Sequence, residues 1–312
     1  HICGLLSETV EEYEVVTADG ELITVTETNE HSELFNSLPM SHGTLGFLVS
    51  LKLRVVPSKP WVRLTYTPIR KGVELDKKYL AVLELAAKDD EKTPFFVESI
   101  AFGKNTSIFM TGDLADENEK KATNRIGWWF KPWFFKHVEG KLRSAEVTQE
   151  YIPIRDYLMR HDKSMCMTMM TIIPYGNSVL FRWLLGWTLP PQMTFLKSSH
   201  TPETREASVR KQCYQDVCFP SGKLLEMMDV VDDEFGIYPL LVYPCMLRND
   251  RGGLVRVRKG QEDGGCSYNL NLGVYGVPPQ LVEGGTKIYP MITKVRKLEA
   301  KLREVGGFQH TY

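Results

Sequence analysis

The chain of 312 residues lacks most of the sequence features that identify a functional class of protein. No stretch of about 18 uncharged apolar residues occurs, so no transmembrane helix is predicted. Lysine and arginine number 38 against 39 aspartates and glutamates, and a net charge of −1 argues against a nucleic-acid-binding protein. The first residue is His1 rather than Met, and the last residues run into a strand-like segment that stops at Tyr312, so we expect a fragment of a longer protein.

The cysteines are scattered along the chain, and the common motifs of hydrolases and metalloenzymes are absent. No two cysteines form a Cys-x-x-Cys pair, so neither a zinc site nor a disulfide scaffold is indicated, and reduced thiols are expected. The sequence contains no His-Glu-x-x-His and no Gly-x-Ser-x-Gly, so no metal site is predicted and no catalytic residue is assigned. The six cysteines are Cys3, Cys166, Cys213, Cys218, Cys245 and Cys266.

Segments with the two-residue apolar period of strands alternate along the chain with segments that have the 3.6-residue period of helices. This pattern favours an α+β fold of about two domains. Asp19-Gly20 between two β-prone runs predicts a hairpin over 12–26, and Gly306-Gly307 predicts the end of the last helix. Pro57 and Pro60 predict a boundary between two units, and no internal repeat is visible. The other predicted elements are helices at 31–38, 73–87, 223–235 and 288–305, and strands at 47–56, 61–67, 95–102, 107–111, 237–247 and 267–275.

A short glycine-containing peptide precedes one predicted strand. Gly43-Thr44-Leu45-Gly46 leads into a β-prone run at Phe47. Glycine lets a backbone approach a ligand closely, and successive N–H groups can surround an anion. Two glycines at the start of a strand also make an ordinary turn, so the local pattern leaves both interpretations open.

Two segments are rich in aromatic residues and contain cations, at 126–137 and 179–196. Tryptophan is amphipathic, so three interpretations remain open: a core between domains, the wall of a lipid or sterol-like pocket, and contact with a membrane surface. Between these segments lies a run rich in methionine, a side chain that fills core gaps and also suits flexible apolar ligands. These methionines are Met159, Met165, Met167, Met169 and Met170.

Several peptides resemble a known enzyme family. Residues 43–49, followed by Leu53-Arg54-Val55-Val56-Pro57, resemble the end of a PCMH-type FAD-binding domain of the vanillyl-alcohol oxidase fold. The run Lys-Pro-Trp-Phe-Phe-Lys-His-Val-Glu at 131–139 resembles the Δ24-sterol reductase family, also called the 24-dehydrocholesterol reductase or Diminuto family. Further peptides that resemble this family are at 150–155, 172–177 and 181–187.

The resemblance implies an FAD enzyme that uses NADPH to reduce the C24–C25 double bond of sterol side chains. Residues 1–57 would be the second part of the FAD-binding domain, and residues 58–312 an α+β substrate cap, truncated at its C-terminal end. The residues implied to contact FAD are Gly43, Thr44, Leu45, Gly46, Phe47, Leu48 and Val49. The residues implied to contact the substrate are Trp133, Phe134, Tyr151, Tyr175, Asn177 and Trp187.

The resemblance also implies a sterol substrate and a place at the endoplasmic reticulum membrane, through an anchor upstream of this chain. The fragment alone is expected to be inactive, because half of the cofactor cradle would be missing. Met167-Thr168 stands where the family has Trp-Glu, and Thr171 stands where it has Asp. Because of these departures, two alternatives to a sterol reductase remain open: an FAD oxidoreductase of the same fold with another substrate, and a non-catalytic sterol-binding homologue.

Overall fold

A computed structural model describes residues 6–189, 201–202, 211–248, 266–282 and 290–310, and it confirms the α+β fold. The strands are β1 (Val10–Val16), β2 (Leu22–Thr26), β3 (Phe47–Leu53), β4 (Trp61–Ile69), β5 (Phe96–Gly103), β6 (Thr106–Ala115), β7 (Thr148–Pro153), β8 (Cys213–Pro220), β9 (Leu240–Arg248), β10 (Cys266–Gly276) and β11 (Phe308–His310). The helices are α1 (Ser32–Ser37), α2 (Gly72–Ala87), α3 (Phe134–Lys141), α4 (Ile154–Leu158), α5 (Met169–Ile172), α6 (Val179–Leu185), α7 (Leu224–Glu234), α8 (Pro279–Val282) and α9 (Met291–Val305).

The first three strands form a small antiparallel sheet in the order β2-β1-β3. The hairpin predicted over 12–26 is confirmed as β1 and β2, and Gly20 in its turn has a φ of +83°. One face of the sheet packs on α1, with the rings of Tyr13 and Phe35 5.2 Å apart. Strand β3 is an edge strand among the described residues, and all of its side chains are exposed.

The remaining eight strands form one sheet that consists of two equivalent halves. The first half connects its elements as β4-α2-β5-β6-α3-β7, in the strand order β7-β4-β6-β5. The second half runs β8-α7-β9-β10-α9-β11, with α8 as a short addition, in the order β11-β8-β10-β9. The expectation of no internal repeat is therefore wrong at the level of topology, because the repeat is carried by connectivity and not by residue identity.

The two halves meet edge to edge at β5 and β9. This junction contains three residue pairs, Ser99↔Val242, Ile100↔Leu241 and Ala101↔Leu240. The buried hydroxyl of Tyr79 on α2 donates to Val242 O at 2.7 Å and lies 2.8 Å from Ser99 Oγ. One side chain of the first half therefore spans the junction and contacts both strands.

The two faces of the large sheet are covered differently. The front face, which includes Val97, Phe109, Val242 and Leu272, packs against α2, α7 and α9 in one continuous core. On the back face, α3 covers the first half through Phe134, Phe135 and Val138. On the back face of the second half, Leu241 joins the core under α3, and the other buried apolar residues form a small cluster to which no helix of the described residues contributes. These residues are Cys218, Cys245 and Leu247, with Phe308 packed against them.

The large sheet begins at Trp61 and the small one ends at Leu53, so residues 54–60 lie in neither. Of the predicted final helix, 291–305 is confirmed, whereas Ile288 lies outside the described residues, as do Cys3 and Phe195. The strand predicted to begin at 237 begins at Leu240, directly after Pro239, whose missing N–H cannot join the sheet. The division into an FAD-binding unit at 1–57 and a cap at 58–312 stays a prediction.

Candidate functional site

The glycine peptide forms a turn beside an open cavity in the small sheet. Gly43 has a φ of +75°, and a Cβ at this position would meet no atom within 4 Å. A cavity of about 450 Å³ is lined by Gly43, His42, Phe47 and Tyr13, among others. The hydroxyl of Thr44 donates to Ser41 O at 2.7 Å, so this side chain is used within the turn itself.

Gly46 has a different role from Gly43. A Cβ on Gly46 would lie 2.5 Å from Val15 Cγ1 and 3.0 Å from Val16 O, so the peptide presses directly on β1. Next to it, Leu45 is exposed in the turn, and Leu48 and Val49 are exposed on the edge strand β3. The open space at Gly43 and the unpaired outer edge of β3, among the described residues, fit a backbone cradle for a large cofactor.

The six residues implied to contact the substrate do not come together in one cavity. Trp133 is 1% exposed and Phe134 is equally buried, both in the core behind α3. Tyr151 lies in a separate small cluster with Trp61. Their role in substrate binding stays a prediction.

The remaining three of these residues lie nearer the surface. Asn177 accepts a hydrogen bond from the backbone N–H of Trp133 at 2.9 Å, which fixes the 172–177 peptide against the core. Tyr175 beside it is 80% exposed. Trp187 is also exposed, and its indole N–H donates to Leu184 O at 3.0 Å. Trp133 and Asn177 are therefore the pair that the structure brings into contact.

A polar cluster that the motif analysis missed lies on the back face of the second half of the sheet. Asn271 on β10 faces Tyr243 on β9 in the register, and its amide donates to the tyrosine hydroxyl. Asn271 is 1% exposed, and its Oδ1 has no hydrogen-bond partner among the described residues. A buried amide oxygen without a partner marks a position where a ligand or water can donate a hydrogen bond.

The same face holds a tyrosine–carboxylate pair. The hydroxyl of Tyr275 donates to Asp216 Oδ1 at 2.5 Å, and the tyrosine ring lies across Gly273, where a Cβ would come within 2.6 Å of it. Burial first and the charge of Asp216 second raise the pKa of both Tyr275 and Tyr243. Both phenols therefore keep their protons at neutral pH, and the cluster has two hydroxyl groups next to a carboxylate. We name Asp216, Tyr243, Asn271 and Tyr275 the polar cluster.

A strained segment contacts this cluster electrostatically. Met165, Cys166 and Met167 have consecutive φ values of 43°, 49° and 78°, a left-handed conformation that costs each such residue about 1–2 kcal/mol. Burial and then the charge of Asp216 raise the pKa of the Cys166 thiol, so the segment lies close to the polar cluster. Backbone strain of this kind accumulates at functional sites. The departure at Met167-Thr168 lies in and directly after this segment.

The strained segment follows a buried ion pair. The Arg160 guanidinium binds both oxygens of Glu98, at 2.8 Å from Nε and 2.6 Å from Nη2, and His161 Nε2 lies 3.5 Å from the same carboxylate. Burial alone would raise the pKa of Glu98, but Arg160 and His161 outweigh it and hold the pKa at about 2. The pair is charged at neutral pH and anchors the segment to β5.

The N-terminal unit comes close to the back face of the second half at Glu8. Glu8, at the start of the small sheet, acts electrostatically on the Cys245 thiol of β9, which shares the back face with the polar cluster. The start of the small sheet therefore lies near the back face of the second half.

The sequence does contain a signal for the polar cluster. In β10, Leu270, Leu272 and Val274 alternate with Asn269, Asn271 and Gly273, so one side of the strand is apolar and the other polar. Alternation identifies two faces but says nothing about burial. The polar side looks like a solvated surface until the fold shows that Asn269 and Asn271 are buried.

No family model matches the chain. Over its whole length it is 33% identical to the Delta(24)-sterol reductase of Arabidopsis thaliana and 34% identical to that of Homo sapiens. Over 99% of its length it is 34% identical to the Delta(24)-sterol reductase homolog dhcr-24 of Caenorhabditis elegans. The resemblance to this family is thereby confirmed, and the chain spans 57–58% of the length of these relatives. Within the described ranges, no helix is both long and apolar enough to cross a bilayer.

Proposed function

We propose that the protein to which this chain belongs is an FAD-dependent sterol reductase that uses NADPH to saturate the C24–C25 double bond of the sterol side chain. The observation that carries this proposal is the similarity of the whole chain to proteins named Delta(24)-sterol reductase. The open turn at Gly43 and the polar cluster on the cap support it independently. The endoplasmic reticulum membrane is the proposed location, by the same resemblance.

The glycine peptide would hold the cofactor through its backbone. Gly43 leaves open space where a side chain would stand, and Gly46 brings the peptide against β1. Thr44 would contribute its backbone, because its hydroxyl is bonded to Ser41. When bound, FAD supplies the hydride that NADPH provides, so the reaction needs one further proton from a protein group or water.

We assign the proton donor to Tyr243 of the polar cluster. Its oxygen accepts a hydrogen bond from Asn271, which stabilises the phenolate left after proton transfer. The proton of Tyr275 is instead directed at Asp216. One alkene carbon would receive the hydride from reduced FAD, while the O–H bond of Tyr243 would break and its proton would form the C–H bond at the other carbon.

Replacing each tyrosine by phenylalanine tests the assignment in the complete protein. Tyr243→Phe is expected to lower kcat by about 100-fold while NADPH still bleaches the flavin at the wild-type rate, because hydride transfer to flavin does not use this proton. Tyr275→Phe is the matched control on the same face and is expected to keep kcat within about ten-fold. Equal losses in both variants would contradict the assignment without touching the proposed reaction.

The reaction itself is tested with the complete protein in detergent under anaerobic conditions. We expect NADPH to bleach the visible flavin band and an added Δ24-sterol to restore it. Bleaching without sterol-driven recovery would contradict the substrate and favour another alkene, as the departure at Met167-Thr168 allows. A folded protein without a flavin band would contradict the reductase and leave a sterol-binding homologue.

A further inference from the structure

Six apolar side chains form an exposed surface on the cap, which we name the aromatic surface. It combines the loop before α3 with helix α6 and the turn after it. In α6 no residue is buried, so its apolar side chains face solvent on more than one side. The members are Trp128, Trp129, Leu180, Trp183, Leu184 and Trp187, all exposed. Soluble proteins rarely expose a contiguous apolar area of this kind without a partner for it.

The two segments of the aromatic surface are fixed to each other. The rings of Phe130 and Trp183 stack with centroids 4.7 Å apart and planes 13° from parallel. Arg182 donates to Phe130 O at 2.6 Å and to Asn177 O at 3.0 Å, so its charge binds backbone beneath the surface. Gly186 packs so closely that a Cβ there would lie 2.7 Å from Trp129 O.

A buried lysine holds the tryptophan loop from below. The ammonium of Lys163 donates to Ile126 O at 2.6 Å and to Trp128 O at 2.9 Å. Burial of a lysine is costly, and here it lowers the pKa of Lys163 to about 8. The hydrogen bonds of the buried Lys163 ammonium therefore hold an exposed apolar loop in one conformation, despite the free energy that its burial costs. A preformed docking surface requires such a fixed conformation.

Two cations, Arg125 and Lys131, flank the aromatic surface. The other three cations in residues 125–138 and 163–189 are already engaged, since Lys163 and Arg182 bind backbone carbonyls and Lys136 pairs with Glu139. Arg125 is exposed and Lys131 half-buried, while Asp156, on α4, is engaged by the N–H of Gly127 at 3.1 Å. Tryptophans with leucines, flanked by cations, match the boundary between headgroups and acyl chains of an anionic bilayer.

We propose that the aromatic surface docks on a phospholipid bilayer, with the indole rings of Trp128, Trp129 and Trp183 at the level of the headgroups. A protein partner would be expected to fit an apolar stripe or groove, whereas α6 exposes apolar side chains on several sides. A bilayer accepts such a convex shape because lipid adapts to it. This docking does not depend on the reductase reaction.

Vesicle binding by the 312-residue chain tests the proposal. The probe is sedimentation with vesicles of phosphatidylcholine containing about 30% phosphatidylserine, chosen for the anionic surface. Leu180→Glu with Leu184→Glu changes two side chains that are 71% and 61% exposed. This double variant is expected to weaken vesicle binding by about ten-fold or more, because a carboxylate at the interface opposes insertion. Phospholipids brominated on the acyl chain should quench wild-type tryptophan fluorescence, and the double variant should lose this quenching.

Two control variants separate the aromatic surface from other exposed apolar residues. Val73→Glu with Ile292→Glu changes side chains that are 52% and 72% exposed on the helices of the front face, and it is expected to bind vesicles like the wild type. Leu22→Glu with Val147→Glu changes side chains that are 59% and 60% exposed, on β2 and directly before β7, and should also leave binding intact. If either control lost vesicle binding while Leu180→Glu/Leu184→Glu kept it, the proposal would be overturned. A second contrary outcome is a wild-type chain that fails to bind vesicles and forms a dimer, with the dimer lost in Leu180→Glu/Leu184→Glu. That result would assign the surface to a protein interface and overturn the proposal.

Discussion

Gly43 and Gly46 stand three residues apart, but the structure gives each a different reason to be glycine. Gly43 needs only its positive φ, whereas Gly46 also lies against Val15 and Val16. Gly43→Ala is therefore expected to lower the free energy of unfolding by about 1–2 kcal/mol. Gly46→Ala should lower it by about 1–3 kcal/mol more, because β1 cannot move away. Urea unfolding measures both, and a Gly46→Ala variant as stable as Gly43→Ala would contradict the close approach.

The buried pair of Glu98 and Arg160 predicts how stability depends on pH. The folded-state pKa of Glu98 is about 2, below its usual 4.5, so its contribution is complete above pH 4.5 and lost as pH falls toward 2. The shift corresponds to about 3 kcal/mol. The difference in unfolding free energy between the wild type and Glu98→Gln should shrink by about that amount between pH 5 and pH 2. A difference that stays constant between pH 5 and pH 2 would contradict the charged pair.

At the scale of elements, the strained segment at 165–167 predicts a gain in stability. Cys166 has a φ of 49°, which glycine adopts without penalty. Cys166→Gly is therefore expected to raise the free energy of unfolding by about 1 kcal/mol. Cys166→Ala removes the same thiol but keeps the strain, so it should give no gain. Chemical denaturation of both variants measures the difference, and equal stabilities would show that the segment holds no strain at this residue.

Elements with a strong local signal were predictable from the sequence. The hairpin of β1 and β2 follows from Asp19-Gly20, and α9 follows from its 3.6-residue apolar period and the glycines after it. Strands β7 and β8 were missed because the polar residues Gln149-Glu150 and Gln215-Asp216 interrupt their apolar patterns. Helix α3 was missed because its aromatic residues, Phe134 and Phe135, suit core, pocket and membrane equally.

The candidate site was less predictable than the fold because it depends on which face is covered. The glycine peptide was found from its residues, and Trp133 and Asn177 from a family resemblance. Tyr243 and Asn271 come from strands that are adjacent in space but 28 residues apart in the chain, and neither stands in a motif. Only the assembled sheet shows that they are buried together.

At the scale of the whole molecule, Tyr79 predicts how the two halves of the large sheet cooperate. Tyr79→Phe keeps the ring but loses the hydrogen bonds to Ser99 and Val242 at the junction. We expect a loss of about 1–3 kcal/mol in the free energy of unfolding, because buried acceptors lose their donor. Hydrogen exchange should then rise first in β5 and β9.

Tyr157→Phe is the matched control for this experiment. Tyr157 is also almost fully buried, but its hydroxyl has no hydrogen-bond partner among the described residues. Removing that hydroxyl is expected to leave stability unchanged or slightly higher. If both variants lost the same stability, the hydroxyl of Tyr79 would not be what couples the halves.

The matching connectivity of the two half-sheets is the arrangement that tandem duplication of one βαββαβ module produces. The copies differ at one connection, since α3 crosses the back of its sheet and α9 crosses the front. The first module therefore has an apolar core on both sides of its strands. On its back face the second module buries polar side chains beside only a small apolar cluster, so a substitution there changes polarity without opening a large core. The back faces of the two modules therefore leave different room for sequence change.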